Sequence, residues 1–467
     1  MVVGLETHVE LSTNTKIFCS CPTHFGSAPN TQCCPVCTGQ PGSLPVLNKS
    51  VVQYAAMAGL ALNCHVNNRS VMARKHYIYP DLPKAYQISQ YDKPLCSSGL
   101  VELSGGRNIR ITRIHIEEDA GKLVHYDDAV LIDYNRGGVP LIEIVSEPDF
   151  RNSNEAVEYL EKLQTILRAI GVSDCRMQEG SLRCDVNISL RREGCDVFGT
   201  RTEIKNLNSF TSVAAAIEYE YKRQMKLLDS GGVVVQETRG WNADKCQTVS
   251  QRGKEDANDY RYFPEPDIGE IFISDEEIRQ LWSIIPELPD KKLERYVQEL
   301  GVPEPDAKLL TKYSRVSEYF ETACEGVGTP KTVASLMVMQ MFALVTTEVE
   351  RENWSPKTTA RQLSELVLLL ENGKLNRNLA KRVFAQMLET GGNAEDFVST
   401  DDLTELSTGD LKALCNEAIE QNPKIVADYR AGKEKAIKAL VGAVMRESKG
   451  RANAIEAEQV LKATLTV

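Results

Sequence analysis

The sequence predicts an α+β fold: an antiparallel sheet with inserted helices over roughly the first 285 residues, followed by an all-helical region. Three observations carry this. The segments LRCDVNISL and RTEIKNL alternate with period two and are neighbours in sequence, as antiparallel partners are. Amphipathic helical segments interrupt the strands without following each one, which favours α+β over a doubly wound sheet. Strand patterns then stop at IIPELPDKK (284–292), where two prolines lie close together.

The first element is the strand VVGLETHVEL. Side chains alternate along a strand, so Val3, Leu5, Val9 and Leu11 share one face, with Thr7 as the polar exception. Glu6, His8 and Glu10 share the other. Two carboxylates and an imidazole form a ligand set for a cation that accepts oxygen and nitrogen donors; a solvated strand face is the plainer alternative.

Next come Cys19, Cys21, Cys34 and Cys37, spaced C-x-C-x12-C-P-x-C. Two cysteine pairs about a dozen residues apart match the loop closure of a zinc site made of four thiolates, with disulfides as the rival. Pro35 and Gly39 supply tight turns, while Cys33 beside Cys34 leaves the fourth ligand open. No histidine-paired nucleophile pattern surrounds these thiols.

The helix expected over 155–170 places Val157, Leu160, Leu163, Leu167 and Ile170 on a 3.6-residue stripe. Asn152 with Glu155 resembles a capping box, and Gly171 a stop. In LRCDVNISL, Arg183, Asp185, Asn187 and Ser189 oppose the apolar set; in RTEIKNL, Arg201, Glu203 and Lys205 share a face. These strands would form a polar sheet floor, which an antiparallel sheet can leave bare. A second helix is expected over 211–228, ended by Gly231-Gly232. Beyond 290, helices are expected at 291–300, 306–325, 330–350, 357–372 and 377–390, with a further break near Asp401-Asp402.

Composition sets outer limits. A length of 467 residues implies two or three domains, and 42% hydrophobic with 25% charged residues describes a globular protein. No run of about eighteen apolar residues exists, the strand pattern starts at once, and the thirteen cysteines form no framework. The cytoplasm is the expected compartment. A net charge of −11 argues against indiscriminate coating of nucleic acid. Between Lys424 and Arg451, however, eight Lys or Arg face three acids, a local +5 suited to phosphates or to a merely solvated helix face.

Two more carboxylates stand in apolar surroundings. Glu118 shares parity with Ile114 and Ile116, and Glu143 is flanked by aliphatic residues in VPLIEIVSEPD. A buried carboxylate must be paired or metal-bound, and Arg113 or Arg136 would serve as the ion-pair alternative. Cationic groups for phosphate lie at Arg74, Lys75, His76, Lys84, Arg183, Lys205 and Arg261. There is no Walker A loop, GxGxxG cradle or kinase signature, so a nucleotide would be held by metal and basic clamps over a sheet.

The segments GLETHVEL, KHYIYPDLPKAYQISQYDKPL, HIEEDAGKL, DYNRGGVPLIEIVSEPDFR, EGSLRCDVNISLR, GTRTEIKNLNSF, QETRGW and DYRYFPEPDI resemble the B subunits of the aspartyl/glutamyl-tRNA amidotransferases, the GatB family, through nearly the whole chain. AGKEKAIKALVGAVMRESKGRANA resembles that family's tRNA-binding tail, shared with YqeY-like proteins. The resemblance implies a cradle (1–290), a helical domain (291–405) and a tail (406–467). It implies a two-step reaction: ATP and magnesium phosphorylate the side-chain carboxylate of Glu on tRNA(Gln) or Asp on tRNA(Asn), and ammonia then displaces phosphate.

Carried over by residue, Glu6, His8, Glu118 and Glu143 become catalytic and magnesium-site candidates, with Glu10 behind them. Lys75, Arg183 and Lys205 become candidates for ATP phosphates or the aminoacyl end. Lys433, Lys435, Lys438, Arg446, Lys449 and Arg451 would line the tRNA-binding tail. The cysteine knuckle would hold structural zinc.

No amidase-type Ser-rich motif with a paired Lys and no Cys-His glutaminase arrangement occurs in the sequence. The resemblance therefore implies an amidase partner, the family's A subunit, as ammonia source. With the family's small C subunit this gives a heterotrimer. Two rivals remain: a noncatalytic tRNA-binding scaffold, and a glutamine-synthetase-like ligase acting on a free carboxylate. The acid and imidazole set argues against the first, the basic tail against the second.

Overall fold

The computed structural model describes residues 1–253, 259–398, 408–448, 452 and 454–465. The chain forms two compact units, Met1–Leu288 and Pro289–Val467. The break near Asp401-Asp402 lies outside the described residues.

The strands of the first unit begin with β1 (Val2–Glu10), β2 (His65–Val66), β3 (Arg69–Ser70), β4 (Ala73–His76) and β5 (Tyr86–Ser89). They continue with β6 (Cys96–Glu102), β7 (Asn108–Glu118), β8 (Lys122–His125), β9 (Val130–Asp133) and β10 (Pro140–Ser146). The last are β11 (Leu182–Ser189), β12 (Thr202–Lys205), β13 (Glu237–Asn242), β14 (Gln247–Gly253), β15 (Phe263–Pro264) and β16 (Ile271–Phe272).

Among the described residues, nine strands make one sheet in the order β14-β13-β12-β11-β1-β10-β7-β6-β2. Every neighbour pair is antiparallel except β12 with β13, which is parallel. A second sheet, β15-β4-β5, has three strands.

The alternation expected for the first strand is present, and registry extends it sideways. Val9 sits opposite Ile142 and Leu182, and Leu5 opposite Val186; Ile142 in turn meets Ile116. These side chains form one apolar face, buried with Ala55 and Leu62 of α1 (Lys49–Ala61 and its C-cap), Leu160 and Leu163 of α2 (Ser153–Ala169) and Val213 and Ile217 of α3 (Phe210–Asp229). The opposite face carries the polar set. Burial of branched aliphatics on one side alone is what holds the register, because a one-residue slip would exchange the faces.

Local details depart from expectation in three places. Asn152 caps α2 through Glu155 N at 2.9 Å, but the Glu155 carboxylate accepts from Arg151 N at 2.8 Å, so the reciprocal half of a capping box is displaced by one residue. The helix expected over 306–325 is two helices, Glu304–Thr311 and Ser314–Cys324, because Tyr313 turns extended and buries its ring. The one expected over 330–350 is broken as well. Pro330–Leu336 runs through a π turn at Met337–Met341 to Leu344; Val345 then turns extended, and a capping box of Thr347 and Glu350 starts Glu348–Glu352.

The second unit is helical throughout its described residues. One apolar cluster joins Tyr296, Phe320, Met337, Leu366 and Phe384, and another joins Leu411, Cys415, Leu440, Val444 and Leu461. No helix among the described residues is long and apolar enough to cross a membrane.

Candidate active site

The polar face of the large sheet collects its charged groups into distinct clusters. In the first, His8 of β1 lies opposite Glu143 of β10, which lies opposite His115 of β7. His8 Nε2 is 3.4 Å from Glu117 Oε1 and 3.5 Å from Glu143 Oε2, and His115 Nε2 is 3.2 Å from Glu143 Oε2. Burial opposes protonation of His8, but the Glu143 hydrogen bond and the Glu117, Glu143 and Asp185 charges outweigh it and raise its pKa to about 9. Burial likewise opposes ionisation of Glu143, yet the two imidazoles hold its carboxyl well below the usual range.

The second cluster is Glu6, Asp185 and Glu203, from three neighbouring strands. Burial, then the Glu143 and Asp185 charges, raise the Glu6 pKa, while Asn187 Nδ2 donates to its carboxylate at 2.9 Å. Lys205 Nζ reaches Asp185 at 2.5 Å and Glu203 at 3.0 Å. Burial disfavours that ammonium, but the Asp185 and Glu203 carboxylates raise its pKa overall.

Donor atoms within each triad lie within 4.8 Å of one another. A hexacoordinate magnesium ion with oxygen ligands near 2.1 Å spans about 4.2 Å between opposite donors, so either set fits a hard divalent cation. At the second, an ion would share its carboxylates with Lys205.

Two expected ligands lie elsewhere. Glu118 is a correction: it faces away from His8, at the end of the apolar face, where Lys84 Nζ donates to it at 2.7 Å and Ile88 N at 2.8 Å. Strand parity is the reason, since a residue aligned with Ile114 and Ile116 cannot join the opposite face. Its place in the first cluster is taken by Glu117. The pairing partner is Lys84, where Arg113 or Arg136 was expected. Glu10 belongs to a third group, with Arg183 Nη2 at 3.6 Å. Burial and then the Asp119 charge raise its pKa to about 8. Arg183 spends its guanidinium on Asp119, donating from Nη1 at 3.2 Å.

Arg74 is likewise engaged, forked onto Glu265 at 2.6 and 2.8 Å. Lys75 is not; its ammonium lies over the rings of Tyr260 (4.9 Å) and Tyr77 (5.8 Å). Asp185, Glu203 and Glu117, members of these triads, were not singled out from the sequence as candidate ligands, nor was His115 as the imidazole partner of Glu143. The same parity test that singled out β1 would have found His115 and Glu117.

The four sulfurs of Cys19, Cys21, Cys34 and Cys37 also lie within 4.8 Å of one another, and Cys34 and Cys37 are 3.9 Å apart. Zinc–sulfur bonds near 2.3 Å in a tetrahedron require about 3.8 Å between sulfurs, so the group fits zinc. Cys33 stands outside, its sulfur 3.7 Å from Asn135 Oδ1. The Cys19 hydrogen bond, the Cys34 amide and Lys16 hold the Cys37 thiol down to about 4. Gly39 lets this knuckle close onto Lys84: a Cβ there would meet Lys84 Cγ at 2.7 Å.

In the second unit, Lys433 pairs with Asp428 at 2.8 Å, whereas Lys435, Lys438 and Arg446 are exposed. Lys449 and Arg451 lie outside the described residues.

A mostly antiparallel sheet carries these two triads on its polar face, and residues 1–279, which contain it, match the family model described as the GatB/GatE catalytic domain. Residues 318–465 match a second model, described as the GatB domain. The chain belongs to the GatB family of amidotransferase subunits. It is 51% identical over 470 residues to the B subunit of the aspartyl/glutamyl-tRNA(Asn/Gln) amidotransferase of Caldanaerobacter subterraneus subsp. tengcongensis, covering 100% of this chain and 99% of that one. The proteins of the same name from Caldicellulosiruptor saccharolyticus (51% over 474 residues, 100% and 98% covered) and Agathobacter rectalis (50% over 459, 97% and 96%) are similarly close. The second model starts well before residue 406, so its match spans both the expected helical domain and the tail.

Proposed function

We propose that the polar sheet face activates the side-chain carboxylate of Glu on tRNA(Gln), or of Asp on tRNA(Asn), and converts it to the amide. The γ-phosphoryl group of ATP passes to a carboxylate oxygen, releasing ADP. Ammonia then attacks the carbonyl carbon, phosphate departs with the C–O bond electrons, and the nitrogen loses a proton. A carboxylate is a poor acyl donor until its oxygen becomes a good leaving group. The chemistry makes two demands on the chain: neutralise phosphate charge, and hold the acceptor still.

The observation that carries this reading is the pair of separate triads, His8/Glu117/Glu143 and Glu6/Asp185/Glu203, on one polar face with Lys205 between carboxylates. Magnesium bound there would supply charge neutralisation for the transferring phosphoryl group. His8 must lose its proton to ligate, so cation binding releases protons. Lys205 would move from carboxylate to phosphate oxygens, and Lys75 is available for phosphate or for the aminoacyl end. The four-thiolate knuckle would hold structural zinc and stiffen the loop that rests on Lys84. Lys435, Lys438 and Arg446 of the tail would take tRNA phosphates.

Ammonia would come from a partner amidase, the A subunit, and a small C subunit would complete a cytoplasmic heterotrimer. The relatives' designation as B subunits supports partners of this kind. The test is to incubate the complex co-expressed with those partners with ATP, magnesium, glutamine and labelled Glu-tRNA(Gln) or Asp-tRNA(Asn). Formation of the amide, lost on Glu117→Gln, supports the reading. Retained tRNA binding with neither tRNA amidated and no ATP turnover would leave a scaffold instead.

A further inference from the structure

Near the triad of His8, Glu117 and Glu143, four tyrosines form an unbroken run of ring contacts. Tyr77 meets Tyr260 edge-on at 6.1 Å, Tyr260 meets Tyr262 edge-on at 6.2 Å, and Tyr262 stacks on Tyr91 at 4.4 Å with planes 10° apart. They come from three stretches of chain, brought together by the small sheet in which β15 and β5 flank β4. Lys75 projects into the run over Tyr260 and Tyr77, and has no carboxylate partner among the described residues.

The run is not core. Tyr91 is 55% exposed, and the other three are half-buried. It also lies within electrostatic reach of the first triad. Burial, followed by the charges of Glu117 and Glu143, raises the pKa of the Tyr262 hydroxyl; burial and Glu117 do the same for Tyr77. Aromatic faces interleaved with a cation are the chemistry that holds unpaired nucleobases: the base stacks, and the cation takes its phosphate. A free amino acid or small carboxylate has no use for stacked rings.

We propose that Tyr91, Tyr262 and Tyr260, with Lys75, form a stacking site for an unpaired adenine nucleotide, which sets its phosphate toward the triad of His8, Glu117 and Glu143. This rests on the reading of the polar face as the nucleotide-using site. The adenine has two available sources, ATP and the unpaired 3′-terminal adenosine of tRNA.

Equilibrium binding of ATP and of uncharged tRNA to the co-expressed complex, measured without turnover, separates them. Tyr262→Ala and Tyr91→Ala are expected to weaken one of the two ligands about tenfold, the size of one lost base stack, and leave the other unchanged. Tyr262→Phe keeps the ring and stays within about twofold of wild type. If tRNA is the ligand affected, removing its terminal adenosine abolishes the difference between wild type and variant. Lys75→Met weakens the same ligand as Tyr262→Ala. Unchanged affinity for both ligands in the alanine variants overturns the site, as does a Phe variant as weak as the Ala variant. Equal loss of both ligands with a lowered melting temperature also overturns it, since that marks a structural role. Tyr91→Ala, at the most exposed ring, reads the site even where Tyr262→Ala unfolds. A wild-type complex that binds adenine nucleotide here but amidates no tRNA would sink the proposed reaction and leave the stacking site standing.

Discussion

Glu117 and Glu118 are adjacent in β7 and belong to opposite faces of the sheet: Glu117 lies 3.4 Å from His8 Nε2 on the polar face, and Glu118 is bound by Lys84 at 2.7 Å on the other. Two identical side chains thus perform different physical tasks one peptide apart. Glu117 adds negative charge beside the His8 imidazole and the Glu143 carboxylate. Glu118 is a buried anion already neutralised, on a face otherwise occupied by Ile114 and Ile116.

Substitution separates the two roles. Glu117→Gln is expected to abolish ATP-dependent amidation with a melting temperature near wild type. Glu118→Gln leaves the Lys84 ammonium without its counter-charge and is expected to cost about 3 kcal/mol of stability. Activity assays and urea unfolding of both variants check this; loss of activity in a fully stable Glu118→Gln would return that residue to the catalytic set.

Divalent-ion stoichiometry tests the second triad. Manganese titration of the complex, followed by electron paramagnetic resonance, is expected to count two ions per chain. Asp185→Asn should lose one of them and keep the ion at His8, Glu117 and Glu143. Lys205→Met should tighten the second ion, because the ammonium that shares Asp185 and Glu203 is gone. A single ion unaffected by Asp185→Asn would reduce the second triad to an ion-pair network.

Zinc removal should act on stability ahead of chemistry. Chelation under reducing conditions is expected to lower the melting temperature and expose four titratable thiols, both reversed by added zinc. Cys37→Ser should abolish zinc binding, whereas Cys33→Ser should not, since that sulfur stands outside the group.

Acid stability has an identifiable contributor in Glu265. Burial alone would raise its pKa, but the Arg74 fork and the Asp267 amide bring it below its usual value of 4.5. A carboxyl with a depressed folded-state pKa contributes stability that is fully present above the unfolded value and lost as pH falls through the folded one. Unfolding free energy should therefore decline below about pH 4.5, and Glu265→Gln should flatten that part of the profile. An unaltered pH profile in the variant contradicts the assignment.

For the tail, tRNA affinity should fall steeply with salt. Lys438→Ala and Arg446→Ala should each lower the slope of log affinity against log salt by about one, and weaken cognate and noncognate tRNA alike. An unchanged slope would remove those residues from the interface.

Much of this was legible in the sequence because it depends on local rules. Alternation in VVGLETHVEL put Glu6, His8 and Glu10 on one face, and the C-x-C and C-P-x-C spacing drew the knuckle. What stayed hidden was lateral. Nothing local tells that β1 lies between β10 and β11, so the partners of His8 and Glu6 were not assigned as two groups. Glu118 was misplaced because an apolar setting suits a metal ligand and an ion pair alike, and its parity with Ile116 pointed to the ion pair. Lys84, the partner, sits in an irregular stretch between β4 and β5 whose path no period describes.

The position of β1 also bears on how the protein is made. Synthesis delivers it well before its neighbours: β10 starts at Pro140 and β11 at Leu182. At about 5–20 residues per second, the ribosome needs on the order of ten seconds to supply the first partner, and longer for α2 and α3. Throughout that interval both edges of the strand are open, and α2 and α3 are not yet there to cover Val3, Leu5 and Val9. Fragments that end before β11 should therefore aggregate in expression trials where the whole first unit does not.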